Sequence, residues 1–201
     1  MSDFYAFGRA RNFATHDDAL AEAIVRLKYE EVTRLGHRFA DRLAEIVRQT
    51  PGDCQADIVV PVPLHPERRR ERGYNQAELI ALPLARRWKS PLESRRLMRA
   101  RPRPAQLRFL SRTEYRKSVR GAHAVREGHP VDNLRILLLD DVLTTGATLD
   151  ACARTLKKAG ASVILGLILV RVRSWAKAPR AVIRKGKADT QSKPVERPEH
   201  P

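Results

Sequence analysis

The chain has 201 residues, 42% of them apolar, which is enough for one folded domain with appendages and excludes a wholly disordered protein. Its 39 Lys/Arg outnumber 23 Asp/Glu to give a net charge of +16, which favours anionic partners: nucleic acid, polyphosphate or an anionic surface. Two cysteines, Cys54 and Cys152, are too few for a zinc ribbon or disulfide framework, and the longest apolar run, Val163 to Val170, is far short of a membrane span. With no apolar signal region at the start either, the expectation is a soluble cytoplasmic protein without zinc or membrane insertion.

Residues 1–14 are aromatic-rich (Phe4, Tyr5, Phe7, Phe13) and suit a short strand or an arm packed on the domain. Leu20, Ala23, Ile24 and Leu27 recur at helical spacing, predicting an amphipathic helix from Asp17 to Tyr29. A second helix runs from about Thr33 to Gln49, with Leu35, Phe39 and Leu43 on one face, and ends at Pro51-Gly52. Asp57 to Val62 reads as a short buried strand, halted by Pro61 and Pro63, which lack N–H donors. A highly charged loop follows (His65, Arg68, Arg69, Arg70, Arg72), and a helix resumes from about Asn75 to Trp88 with a kink at Pro83. Residues 86–126 hold fourteen Lys/Arg against two Glu. Within them, Ser111-x-x-Glu114 is a capping box that starts a short helix through about Ser118. Arg112, Arg116 and Arg120 recur every four residues and would line one face, and Gly121 to Val125 suits a strand or hairpin arm. From Ser174 to Pro201 no packing stripe remains, so a domain of residues 1–173 is followed by a basic tail expected to be disordered.

The chemistry concentrates in Arg135 to Thr148, R-I-L-L-L-D-D-V-L-T-T-G-A-T. Ile136 to Leu139 form a buried strand of a parallel sheet, Asp140 and Asp141 follow, and Thr144-Thr145-Gly146-Ala147-Thr148 make a loop that opens onto a helix from Leu149 to Lys158. That order sets backbone N–H groups and hydroxyls at a helix N-terminus, where an anion is favoured. The adjacent carboxylates are suited to accept hydrogen bonds from sugar hydroxyls or to hold a divalent cation. A phosphate and a sugar held side by side is the functional reading; an ordinary βα turn, with the acids capping the helix, is the bland one. No G-x-G-x-x-G and no G-x-x-x-x-G-K-S/T occurs, so neither a dinucleotide fingerprint nor a Walker loop is present. Gly160-Ala161 ends the helix, and Ser162 to Val172 is a further buried strand.

This stretch resembles the PRPP-binding motif of type I phosphoribosyltransferases, PRPP being phosphoribosyl pyrophosphate. With P-V-P-L-H-P-x-R-x-x-x-R-G-Y-N-Q at residues 61–76, the likeness narrows to the ComF/GntX family, named for a role in DNA uptake during bacterial competence. The resemblance covers roughly residues 4–173 and implies an α/β fold: an open, mostly parallel twisted sheet flanked by helices, with a basic hood at about 99–126. It implies that Asp140 and Asp141 hold the ribose hydroxyls and that Thr144, Thr145, Gly146, Ala147 and Thr148 cradle the 5′-phosphate. His65, Arg68, Arg69 and Arg72, with Arg112 and Arg116 from the hood, would neutralise the pyrophosphate. Mg²⁺ would arrive with PRPP, with no protein ligand of its own. Phosphoribosyl transfer to an unknown acceptor is the expected activity. A non-catalytic single-stranded nucleic-acid-binding accessory, working with competence-machinery proteins, and a PRPP-responsive regulator are the alternatives. Departures are Ser118 where the family tends to have Asn, His123 where it tends to have Phe, and a start beyond the family's common four-cysteine zinc ribbon.

Overall fold

A computed structural model describes residues 5–15, 22–24, 26–27, 33–48, 55–101 and 111–171. The expected tail at 174–201 lies outside them. The main sheet has four strands in the order β1-β6-β5-β2, all parallel: β1 (Arg9–Thr15), β2 (Ile58–Pro61), β5 (Arg135–Leu143) and β6 (Val163–Arg171). A parallel sheet needs cover on both faces, and the strands carry the near-continuous apolar runs that this requires.

One face is covered by α1 (Leu35–Arg48) and α3 (Gln76–Trp88), whose Phe39, Leu43, Ile80 and Leu84 pack on Val59, Leu137, Leu139 and Leu167. Ile24 and Leu27, from helical residues inside the expected first helix, join this layer. Gly36 lets α1 approach α3 closely, since a Cβ there would meet the Leu79 carbonyl oxygen at 2.8 Å. The other face is covered by α5 (Ala147–Lys158): Leu149, Cys152 and Leu156 pack on Ile136, Leu138, Ile164 and Ile168. Each fully buried aliphatic of this kind contributes about 1.5–3 kcal/mol, so the two layers carry most of the apolar stabilisation. Among the described residues no helix is long and apolar enough to cross a membrane.

Three elements depart from the expectation. The loop at 65–72 is helical, as α2 (Pro66–Arg72). Its sequence P-E-R-R-R-E-R has no apolar stripe, but His65 caps it, Pro66 starts it and Gly73, at φ 80°, stops it. A strand β3 (Leu97–Arg99) pairs antiparallel with β4 (His123–Val125), Arg99 lying opposite His123. Finally, β5 does not end at Leu139: it stays paired with β6 as far as Leu143, so both acids sit within the strand, and α5 begins at Ala147, ahead of Leu149. The short helix expected from Ser111 is present as α4 (Arg112–Val119), begun by the Ser111–Glu114 capping box, while residues 102–110 of the expected hood lie outside the described residues.

Candidate functional site

Strands β2 and β5 are parallel neighbours, Pro61 opposite Leu139, and the Val62 N–H donates to the Leu139 carbonyl (2.8 Å). Both chains therefore leave the sheet at one edge, where open α/β folds bind ligands. Asn75 ties that edge together. Its side-chain amide donates to the Val62 carbonyl (3.0 Å), and its carbonyl oxygen accepts from the Ala77 N–H (3.1 Å) at the start of α3.

At this edge β5 supplies the acid pair. Ile136 and Leu138 face the α5 layer, and Asp140 continues that alternation: its charge reaches Cys152, whose thiol is pushed well up by burial first and by Asp140 second, with Arg99 opposing. One Asp140 oxygen accepts from the Asp141 N–H (2.9 Å), which fixes its rotamer, while Asp141 is buried and Asp140 half-buried.

The loop itself is only three residues, Thr144 to Gly146. Thr145 is buried, and its hydroxyl accepts from the Ala147 N–H (3.2 Å). Left unpaired, such a group would cost about 1–3 kcal/mol. Gly146 is the N-cap of α5 with φ 72° and has no side chain to cap the helix, so the Thr145 hydroxyl meets the Ala147 N–H instead. Apart from that of Ala147, the first-turn N–H groups thus meet no carboxylate or hydroxyl at the cap position, the arrangement that receives an anion.

Two segments that the sequence did not connect with this loop hold it. The Tyr5 hydroxyl donates to the Thr145 carbonyl (3.1 Å), and the Tyr5 ring lies so close that a Cβ on Gly146 would meet it at 3.0 Å. Tyr5 stacks on Phe7 (4.8 Å), and the Ala6 N–H donates to Asp150 (2.7 Å) in the first turn of α5. From α4, the Tyr115 hydroxyl shares a hydrogen bond with Thr148 (2.9 Å). The N-terminal aromatics were legible as an arm; their target, 140 residues away, had no local signal.

The proposed pyrophosphate residues fall into two places. His65, Arg68, Arg69 and Arg72 belong to α2, on the same sheet edge as the acids. Arg68 pairs with Glu71 (3.1 Å), Arg69 with Glu78 (3.0 Å) and Arg72 with Gln76 (2.5 Å). An exposed pair like Arg68–Glu71 is worth about 0–1 kcal/mol, so it yields readily to a multiply charged anion. Arg116 is elsewhere: its guanidinium stands 5.6 Å above the Tyr5 ring, and it faces a groove between α4 and α5. Arg112 is the first residue of α4, and its side chain is outside the described structure.

Within the segment expected to form the hood, Arg99 and His123 are buried. Burial first, then the charge of Arg99, lowers the His123 pKa to about 4, so the ring is neutral near pH 7. Among the described residues neither ring nitrogen has a hydrogen-bond partner. That is the pattern of a buried, neutral histidine rather than of a proton-transfer group.

Residues 81–199 match the family model for the phosphoribosyl transferase domain. The chain is 30% identical over 150 residues to the DNA utilization protein YhgH of Salmonella typhi, covering 75% of this chain and 60% of that protein. The chain belongs to the phosphoribosyl transferase domain family. The competence protein ComFC of Bacillus subtilis is 29% identical over 162 residues, 80% of this chain and 63% of that one. The chain thus spans less than two thirds of the length of these curated relatives. An adenine phosphoribosyltransferase structure from Leishmania donovani superposes with a TM-score of 0.45 at 13% identity, over 80% of this chain and 83% of that one. The parallel sheet flanked by helices is the type I phosphoribosyltransferase fold of this family, and the matched span contains both acids and the whole loop.

Proposed function

We propose that this protein binds PRPP at the edge formed by β5, the Thr144–Gly146 loop and α5, and transfers its phosphoribosyl group to an acceptor. The observation that carries this reading is the α5 N-terminus. It begins at a left-handed glycine that carries no capping side chain, and it follows, across the Thr144–Gly146 loop, a strand that holds two carboxylates near its end. The N–H groups of that turn, with the Thr144, Thr145 and Thr148 hydroxyls, receive the 5′-phosphate. Asp140 and Asp141 accept hydrogen bonds from the ribose hydroxyls. His65 and the arginines of α2 neutralise the departing pyrophosphate, the main electrostatic task when the ribose passes through a cation-like transition state.

Among the described residues no group of three or more His, Cys, Asp or Glu is arranged to hold a metal. A lone pair of hard carboxylates beside a phosphate cradle fits Mg²⁺, which keeps several waters and is bound by one or two carboxylates plus substrate oxygens. Brought in by PRPP and held beside Asp140 and Asp141, it would supply charge neutralisation for the pyrophosphate.

Calorimetry with PRPP and Mg²⁺ tests the binding reading. Asp140→Asn/Asp141→Asn is expected to weaken binding by about tenfold or more, since each charge-assisted hydrogen bond is worth about 1.5–3 kcal/mol. Undiminished affinity in the variant, or no binding by the intact protein, would sink it. Pyrophosphate release across a panel of nucleobases then distinguishes an enzyme from a PRPP-responsive regulator. A second reading, an accessory that binds single-stranded nucleic acid, draws on the fourteen Lys/Arg at residues 86–126 and on the names of the relatives, which refer to competence and DNA utilization.

A further inference from the structure

Arg116, expected to reach the pyrophosphate from the hood, lines a groove on its own side of α5. A groove of about 310 Å³ lies between α4 and α5, on the side of α5 away from the sheet. Four cations line it: Arg116 and Arg120 from the end of α4, Arg154 and Lys158 from α5. Its single acid, Asp150, is engaged on both oxygens, by the Ala6 N–H (2.7 Å) and by Arg154 (2.9 Å), so it adds little repulsion to an incoming anion. Arg120 and Lys158 are exposed, and among the described residues neither has an ion-pair partner. Thr155 and the turn at Gly121 complete the wall.

We propose that this groove is a second anion site, separate from the strand-edge crevice, which takes a short oligophosphate, either free or as the phosphate chain of a nucleotide. Converging guanidinium groups favour phosphate oxygens because their planar, multi-donor forks match them. The volume lies at the small end for ligand pockets and suits a few linked phosphates. The inference does not depend on PRPP binding: the groove shares no lining residue with the acid pair, and meets the phosphate loop only at Ala147.

The test uses the intact chain and two probes, inorganic tripolyphosphate and ATP, titrated by calorimetry without PRPP. Wild type and Asp140→Asn/Asp141→Asn are both expected to bind, while Arg120→Glu/Lys158→Glu binds at least about tenfold more weakly, two favourable charges having become repulsive. Tighter binding of ATP than of tripolyphosphate marks a nucleotide as the source, and equal binding marks the phosphate chain alone; both support the site. Unchanged affinity for both probes in Arg120→Glu/Lys158→Glu overturns it, whatever PRPP does. So does a groove that ignores tripolyphosphate and ATP but binds a thymidine oligonucleotide through Arg120 and Lys158, because the ligand would then be a strand's backbone. Circular dichroism of the variant, whose two changes are on the surface, establishes that it is folded.

Discussion

Gly146 carries two constraints at once. Its φ of 72° disfavours any side chain, and the Tyr5 ring leaves no ordinary room for a Cβ. Gly146→Ala is therefore expected to cost about 1 kcal/mol for the backbone and up to about 1 more for displacing the ring. Denaturant unfolding in a double-mutant cycle with Tyr5→Ala separates the two parts: the cost should shrink to the backbone part once the ring is gone. An equal cost in both backgrounds would mean that Tyr5 is not seated on the loop in solution. His123 makes a different residue-scale claim. Its folded pKa, about 4, lies below the unfolded value of about 6.5, so the unfolded chain takes up a proton that the folded chain refuses. Stability is then complete above about pH 6.5 and falls as the pH drops towards about 4, by about 2 kcal/mol between pH 7 and pH 5. His123→Phe should abolish that slope. Thermal or urea unfolding at the two pH values measures it, and a slope retained in the Phe variant would move its origin to another group.

At the scale of elements, α4 shows how much one cap can matter. It has only eight residues, too few to be stable alone, and its Ser111–Glu114 box satisfies two end groups reciprocally (3.2 and 2.7 Å). Ser111→Ala should cost about 1 kcal/mol by chemical denaturation, and Ser111→Asp should retain most of it. A loss too small to measure would show that Tyr115 and Val119, packed on Ala147 and Ala151, hold the helix without its cap. Such local devices are why α4 was legible in the sequence, as were the apolar runs of β5 and β6 and the stripes of α1 and α3. What escaped was set by distant partners. Leu97-Met98-Arg99 is too short to announce a strand, and becomes one because residues 123–125 lie opposite. Asp140 and Asp141 read as following a strand that ends at Leu139, because acids seldom continue a buried strand, yet the ladder to β6 carries them. The acid pair and phosphate loop were readable as a unit from one contiguous motif, whereas Tyr5, Tyr115 and Asp150, which hold the loop in place, come together only through tertiary packing.

For the whole molecule, a charge of +16 attracts any polyanion, so the informative question is whether attraction depends on net charge or on its placement. The hood, at about 99–126, holds nine Lys/Arg against one Glu, whereas on α1 Arg38 and Arg42 line a surface with Asp41 and Glu45, which offset them. Two exposed pairs can be reversed for the same change in net charge, to +12: Lys117→Glu/Arg126→Glu in the hood, and Arg38→Glu/Arg42→Glu on α1. If single-stranded nucleic acid binds through the hood, the first pair should weaken anisotropy-measured binding of a thymidine oligonucleotide by about tenfold or more, and the second much less. The hood variant should also flatten the dependence of log affinity on log salt by about 1.4, the value for two lost phosphate contacts on a single strand. Long-range attraction to a uniformly cationic body predicts instead that both pairs weaken binding equally. Equal losses would therefore remove the hood from the nucleic-acid reading and leave its cations to the phosphate chemistry of the crevice and the groove.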